Sequence, residues 1–465
     1  MNETEVTTAT DILSGTPEDV MERLKEKSIE IPSWSDELEK EYDPLQHPVM
    51  DKSKYPDITE EDGSIQYVTR ITQDLQRLAA KRTTELVFGL PVKRVYKSET
   101  DKGKEIGQYI DSILERNRIN SLNIERGNLL FAGCEFATIW YATEEPNSLY
   151  GFDSKLKLRC KNYSPMWGDE IYPYFDETGD MKALSFGYKR KSGDTEIEYF
   201  DIYTADCRLR LKNDGAGWIE EFRAAHTLGK IPGIYCYRPA PAWEDTSEIV
   251  YEIEWALSRN GNYLRKNSKP YLALFTDETV ETGSEPDEKT EFRGIVHLPK
   301  GADLKYVVYP QAIENLKFHV TELRQAFFTQ LQIPDWSYDN MKTMQLSGEA
   351  FKQLFVDAHL KVTDESGRII EALDREINII KAYLKTMLPP ADHAEIDNLE
   401  VETEITPFTI TDDKDTINTI MTATGGKSIL SRREGIERLN WSKNVNQTLE
   451  EIQQEETVNL FEPTL

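Results

Sequence analysis

The sequence predicts an α+β protein, a mainly antiparallel sheet region followed by long helices, and three observations carry that expectation. Between residues 134 and 237, eight short apolar or alternating runs read as strands. Turn residues separate them, among them Asn147-Ser148, Thr178-Gly179-Asp180 and Asn213-Asp214-Gly215. Apolar residues recur every three or four positions before and after that region. One helical pattern can run from Ser347 to Leu388, about 42 residues or roughly 63 Å, longer than a small domain is wide.

The elements follow in order. Residues 1–63 carry 18 acids and 6 bases, a net of −12. Thr16-Pro17-Glu18-Asp19 opens a short helix with a cap, a first-turn proline and acids facing the dipole. Pro32, Pro44, Pro48 and Pro56 then interrupt regular structure, so 1–60 is expected as an extended acidic arm lying on other surfaces. Ile71, Leu75, Leu78 and Leu86 share a face, which predicts a helix over 65–87, stopped by Phe88-Gly89-Leu90-Pro91-Val92. A strand over 92–96 and helices around Ile106–Leu114 and 121–132 come next. The strands are expected at 134–143, 155–162, 170–176, 182–190, 195–203, 207–212, 217–223 and 231–237.

At Pro241 the character changes. Residues 246–266 and 311–331 read as helices with apolar stripes. Between them, 270–275 and 304–309 are strand-like and 292–298 is a short apolar run. Residues 277–291 hold seven acids and one base, a solvated loop. Residues 334–346 have no period; Ser347 caps the long helix, with a kink expected at Ser366-Gly367, and Pro389-Pro390 stops it. A strand over 400–408 and two short helices follow, the second opened by the capping box Ser431…Glu434.

Composition excludes several function classes. The 465 residues include 55 Lys and Arg against 83 Asp and Glu, a net charge of −28. A basic, free-standing nucleic-acid reader needs the opposite balance. Mean hydropathy is −0.59, and no apolar run approaches the roughly 18 residues of a spanning helix. The acidic start lacks the charge and apolar core of a signal peptide. Apolar residues are 38% of the chain, thin for its length, which points to an elongated shape or to burial against further copies. Cys134, Cys160, Cys207 and Cys236 are widely spaced without a CxxC and are expected as reduced, buried thiols.

Catalytic signatures are missing. Gly425-Gly426-Lys427-Ser428 resembles the end of a phosphate-binding loop, but the required first glycine is Met421. The six histidines never fall at metal-ligand spacing, and neither HExxH nor GxSxG occurs. Histidines therefore read as structural or surface residues. Trp243, Trp255 and Trp336, near predicted helix ends, read as core or interface anchors.

Several stretches occur in a telling order. Phe88-Gly89-Leu90-Pro91-Val92 follows an amphipathic helix; 117–137 reads as a helix and strand with the small-residue turn Ala132-Gly133-Cys134. Ser164-Pro165 precedes Glu170-Ile171-Tyr172-Pro173, and His226 to Pro232 closes the strand region. Ser347-Gly348-Glu349-Ala350 opens the long helix, and a strand at 405–408, the Ser431 helix and an acidic close at 450–456 end the chain. Over roughly residues 60–455 this series resembles the portal proteins of tailed bacteriophages, in the siphophage and prophage form.

The resemblance implies a portal fold: an α/β wing, a two-helix stem, a small α/β clip, a long spine helix and a helical crown. By position, 1–242 would be the wing, 243–267 a stem helix, 268–310 the clip and 311–333 the second stem helix. Residues 334–346 would be the tunnel loop, 347–388 the spine, and 389–465 the wing completion and crown. It implies a non-enzymatic homo-oligomer, a ring of about twelve subunits, at one capsid vertex of the virion and in the host cytoplasm during assembly. The ring would be the channel for double-stranded DNA packaging and ejection, without cofactor, metal or membrane. Partners implied are the terminase large subunit, the head–tail connector, and the major capsid and scaffolding proteins. The tunnel loop would offer Trp336, Tyr338, Asn340, Met341, Lys342 and Met344 to non-specifically held DNA. The clip would offer Asp277, Glu278, Glu281, Glu285, Asp287 and Glu288 to the motor or connector. The competing expectations are another ring-forming head or tail structural protein and a P-loop packaging enzyme.

Overall fold

A computed structural model describes residues 12–26, 34–59, 63, 65–176, 178–192, 195–267, 271–275, 303–307, 313–335, 355–407, 417, 420–422, 431–439, 448–449 and 451–454. Its centre is a pair of stacked antiparallel sheets. β4 (Glu135–Asn147), β5 (Ser154–Tyr163) and β11 (Gly233–Tyr237) form one, in the order β11-β4-β5. β6 (Glu170–Phe175), β7 (Met181–Ser192), β8 (Thr195–Tyr203), β9 (Cys207–Asn213) and β10 (Trp218–Ala225) form the other, as a meander. Every pairing is antiparallel, as the short turn-separated runs require.

Strand alternation distributes the core. Ala137, Ile139 and Tyr235 of the small sheet meet Ile171, Leu184, Phe186 and Tyr203 of the meander. The opposite face of the small sheet, with Phe136, Trp140, Ile234 and Cys236, packs on helices. α5 (Ile119–Gly133) and the long α8 (Val356–Met387) lie against the sheet, and α3 (Leu75–Phe88) and α4 (Asp101–Arg116) pack onto those helices. α3 and α5 approach closely at Gly127, where a Cβ would lie 2.7 Å from the Thr84 methyl. β3 (Lys93–Lys97) pairs with β14 (Glu400–Glu404), joining chain segments about 300 positions apart in one ladder.

The proline-broken arm lies on other surfaces, as expected, but is less extended than expected. Thr16 and Asp19 form the reciprocal cap of α1 (Pro17–Lys25). Ile12, Val20 and Leu24 are then buried against Phe200, Ile202, Leu209 and Leu211 on the outer face of the meander. α2 (Asp36–Tyr42) follows, and Pro44 and Pro48 each begin a single 3₁₀ turn. The prolines start elements here as well as interrupting them, because a fixed φ and a missing N–H cost nothing at a first turn.

The 65–87 expectation is corrected: a helix exists only as α3, from Leu75. Residues 65–66 form β2, paired with β1 (Ile58–Thr59), and residues 67–74 are neither helix nor strand. The expected strand 400–408 ends at Glu404, and an unexpected helix, α9 (His393–Asn398), precedes it. α8 is hydrogen-bonded without a break across Ser366-Gly367, the site of the expected kink. Ser431 and Glu434 cap α10 (Arg432–Leu439) reciprocally, as the sequence pattern predicts. The run 292–298, residues 347–354 and most of the glycine-lysine decoy at 421–428 lie outside the described residues.

Candidate functional site

Two helices leave the core together. α6 (Ser247–Asn267) and α7 (Ile313–Gln330) pack along each other. Val250 and Ile253 root α6 in the main core; Phe327, Phe328 and Leu331 root the end of α7. At their far end β12 (Tyr271–Phe275) pairs with β13 (Asp303–Val307), from Tyr271 opposite Val307 to Phe275 opposite Asp303. The pair therefore carries a small antiparallel ladder out from the core and returns.

The stretch before α3 is fastened along α6. Glu254, Ser258 and Asn262, one turn apart on α6, accept the backbone N–H groups of Gln73 (2.7 Å), Ile71 (2.8 Å) and Thr69 (2.6 Å). Arg265 continues the ladder by donating to the Tyr67 carbonyl. A helix face thus satisfies alternate donors of the segment, which is why this Ile/Val/Thr-rich stretch is not helical.

Glu254 also fixes the arm. Its carboxylate lies 2.7 Å from His47 Nδ1, and His47 Nε2 lies 2.9 Å from the Glu41 carbonyl, both residues of the pair being fully buried. Glu41 accepts in turn from Trp243 Nε1 (2.8 Å) and Ser247 Oγ (2.9 Å). Burial opposes a charge on His47, but the bonds to Glu254 and Glu41 and the nearby Asp43 outweigh it and raise the pKa above the usual histidine value. A raised folded-state pKa gives stability that is complete below the unfolded value, about 6.5, and is lost as pH rises through the folded one. We expect protease resistance of the 34–57 segment to fall as pH is raised from 6 through that range. His47→Gln should flatten the fall, and an unchanged profile would contradict the assignment.

α8 is locked to the sheet by a buried polar cluster. Arg126 of α5 donates to Glu376 of α8 through both terminal nitrogens (2.6 and 3.2 Å), and Trp140 Nε1 donates to the same carboxylate at 2.9 Å. Arg126 also donates to Asn123 (3.0 Å) and Thr138 (3.0 Å), and Tyr383 OH donates to the Trp140 carbonyl at 2.9 Å. Charge on Arg126 and Glu376, both essentially without solvent contact, is thus neutralised within the cluster.

At the other end of α8, Lys361 Nζ donates to the Leu331 carbonyl at the close of α7 (2.6 Å). Burial, reinforced by nearby Arg238, pushes the Lys361 pKa down to about 8, with Glu365 opposing. Arg238 is itself paired with Glu365 at 2.6 Å. Gln332 takes a left-handed φ of 53°, and Ile333 and Phe355 are buried. Both ends of the connection between α7 and α8 are therefore pinned in the core.

The expected loop residues Trp336, Tyr338, Asn340, Met341, Lys342 and Met344 lie outside the described residues. So do the acidic residues Asp277, Glu278, Glu281, Glu285, Asp287 and Glu288. The structure places their flanking elements. The polar clusters of Arg126 and His47 escape sequence reasoning, because their partners lie 250 and 207 positions away. Trp243 is fully buried, as a core anchor should be, whereas Trp255 is exposed on α6. The four cysteines are free thiols, Cys134 and Cys236 buried and Cys160 and Cys207 half-buried. Burial pushes Cys134, Cys160 and Cys236 up to about 12, away from thiolate chemistry. Among the described residues no group of three or more His, Cys, Asp and Glu side chains could hold a metal. No described helix is long and apolar enough to cross a membrane.

Comparison with known proteins gives one family. The family model described as "Phage portal protein, SPP1 Gp6-like" matches residues 22–459. No curated protein matches. Among solved structures, the chain is similar to one in the neck of an empty gene transfer agent (GTA) particle computed with C6 symmetry. The TM-score is 0.41 at 12% identity, over 79% of this chain and 89% of that one. A chain in the neck of the native particle, computed with C12 symmetry, gives 0.38 at 13% identity over the same shares. One in the virion of the native particle gives 0.38 at 12%, again over those shares.

Proposed function

The chain belongs to the SPP1 Gp6-like phage portal protein family, and from that premise we propose that it forms the portal ring of a phage-type particle. About twelve copies would close head to tail around a channel at one capsid vertex, after assembly in the host cytoplasm. Double-stranded DNA would enter and leave through that channel. The single observation that carries the reading is the family match across residues 22–459.

Residues 1–242, with part of 389–465, would form the wing and the remainder of 389–465 the crown. The helices of 243–267 and 311–333 would form the stem, 268–310 the clip, and 347–388 the spine. The clip, with Asp277, Glu278, Glu281, Glu285, Asp287 and Glu288, would meet the terminase large subunit during filling and the head–tail connector afterwards. The wing and crown would face the major capsid and scaffolding proteins. The loop at 334–346 would line the channel and touch DNA through Trp336, Tyr338, Asn340, Met341, Lys342 and Met344. The chain would act as a conduit, without catalysis or cofactor. An overall charge of −28 suits that task, since an acidic wall repels phosphate and keeps a sliding duplex from sticking.

Localisation tests the reading. A gold-labelled epitope on the full chain should mark a single vertex in intact particles. Label spread over all vertices, or confined to the distal tail, would contradict it.

A further inference from the structure

We propose that the outward face of α7 on one copy docks, Phe318 first, into a groove beside α6 on the next copy. This contact rests on the ring reading above and gives it a residue-level interface.

The groove, about 930 Å³, lies between α6, α7 and the 55–68 segment; Tyr55, Ile58, Tyr67, Trp255, Tyr263 and Leu316 line it. Ile58, Tyr67 and Trp255 stand 41%, 65% and 39% exposed, so the lining is an uncovered aromatic and aliphatic surface. Its charges lean positive. The Arg259 guanidinium lies over the Trp255 ring, 4.4 Å from the centroid, and Arg265 holds the rim through the Tyr67 carbonyl. The one carboxylate in the lining, Glu252, is engaged by His319 at 3.2 Å.

The complement stands on α7. Phe318 is 67% exposed, and Glu314 and Glu322, one turn to either side, are exposed with it. This is an aromatic knob between two acids, facing a groove with an aromatic floor and a cationic rim. The knob cannot fill the groove of its own chain. At about 100° per residue, Phe318 points roughly 200° around the helix from Leu316, which lines the groove. Knob and groove thus occupy different faces of one helix pair. A contact joining them is heterologous, the type that closes rings.

Sedimentation velocity of the full chain over a concentration series tests this. Wild-type protein should form rings. Phe318→Ser should raise the concentration needed for half-assembly about tenfold or more, with the thermal unfolding of the unassembled protein unchanged. Arg259→Glu alone, and Glu314→Arg with Glu322→Arg, should each weaken assembly, and combining all three should restore it. Rings that form equally well in every variant would overturn the knob-and-groove contact and leave the ring intact. So would singly weakened variants that the combination fails to rescue. A wild-type chain that never forms rings would overturn the ring reading itself.

Discussion

Glu376→Ala is expected to destabilise the chain by about 3–5 kcal/mol, the usual cost of removing one partner from a buried ion pair. The alanine would leave Arg126, which has essentially no solvent contact, charged and without its carboxylate. It would also take the acceptor from Trp140 Nε1. Asn123 and Thr138 still accept from Arg126, but neither carries charge. The whole penalty falls on the contact that seats α8 on α5 and β4, so the loss should be global and visible in a urea titration of the unassembled chain. Replacing both residues by apolar ones of similar size should recover much of the loss, since no orphaned charge then remains. A Glu376→Ala cost below about 1 kcal/mol would place the pair in water and remove the account of how α8 is held.

Deleting residues 336–344 should leave rings able to assemble while most heads fail to fill with DNA or to retain it. Assembly should survive because both flanks are independently anchored. Ile333 and Phe355 are buried, and Lys361 ties α8 to the end of α7 at 2.6 Å. The ten residues left at 345–354 can reach about 33 Å, ample between helix ends that one lysine bridges. Packaging should suffer because the deletion removes Trp336, Tyr338, Asn340, Met341, Lys342 and Met344 together, the residues proposed to meet the duplex. Counting filled and empty heads by electron microscopy reads the effect. Normal, full heads would remove the loop from the DNA path.

How far the fold was legible depended on where each residue's partner lay in the chain. The meander was readable because its signals are local. At Asn213-Asp214-Gly215 the turn chemistry sits in consecutive residues, and Gly215 adopts a left-handed φ of 101°. The α1 and α10 caps likewise span four residues. Residues 65–74 read as helix because Ile71 and Leu75 fit a helical stripe, while the groups that take their backbone N–H donors, Glu254, Ser258 and Asn262, lie more than 180 positions later. The arm was legible as proline-broken. Its partners were not, since His47 becomes informative only beside Glu254. For the candidate site, the helices and ladder strands that flank the proposed clip and loop are readable in the sequence as apolar stripes and strand-like runs. The knob at Phe318 was not: one aromatic on a helix reads as core until its exposure is known.

Negative-stain imaging of the purified chain, averaged down the particle axis, tests the central claim most directly. The account predicts closed rings with a central hole and peripheral wings, near twelve-fold and therefore about 640 kDa for subunits of 53.6 kDa. Compact monomers at every concentration, with nucleotide hydrolysis that depends on Lys427, would contradict it.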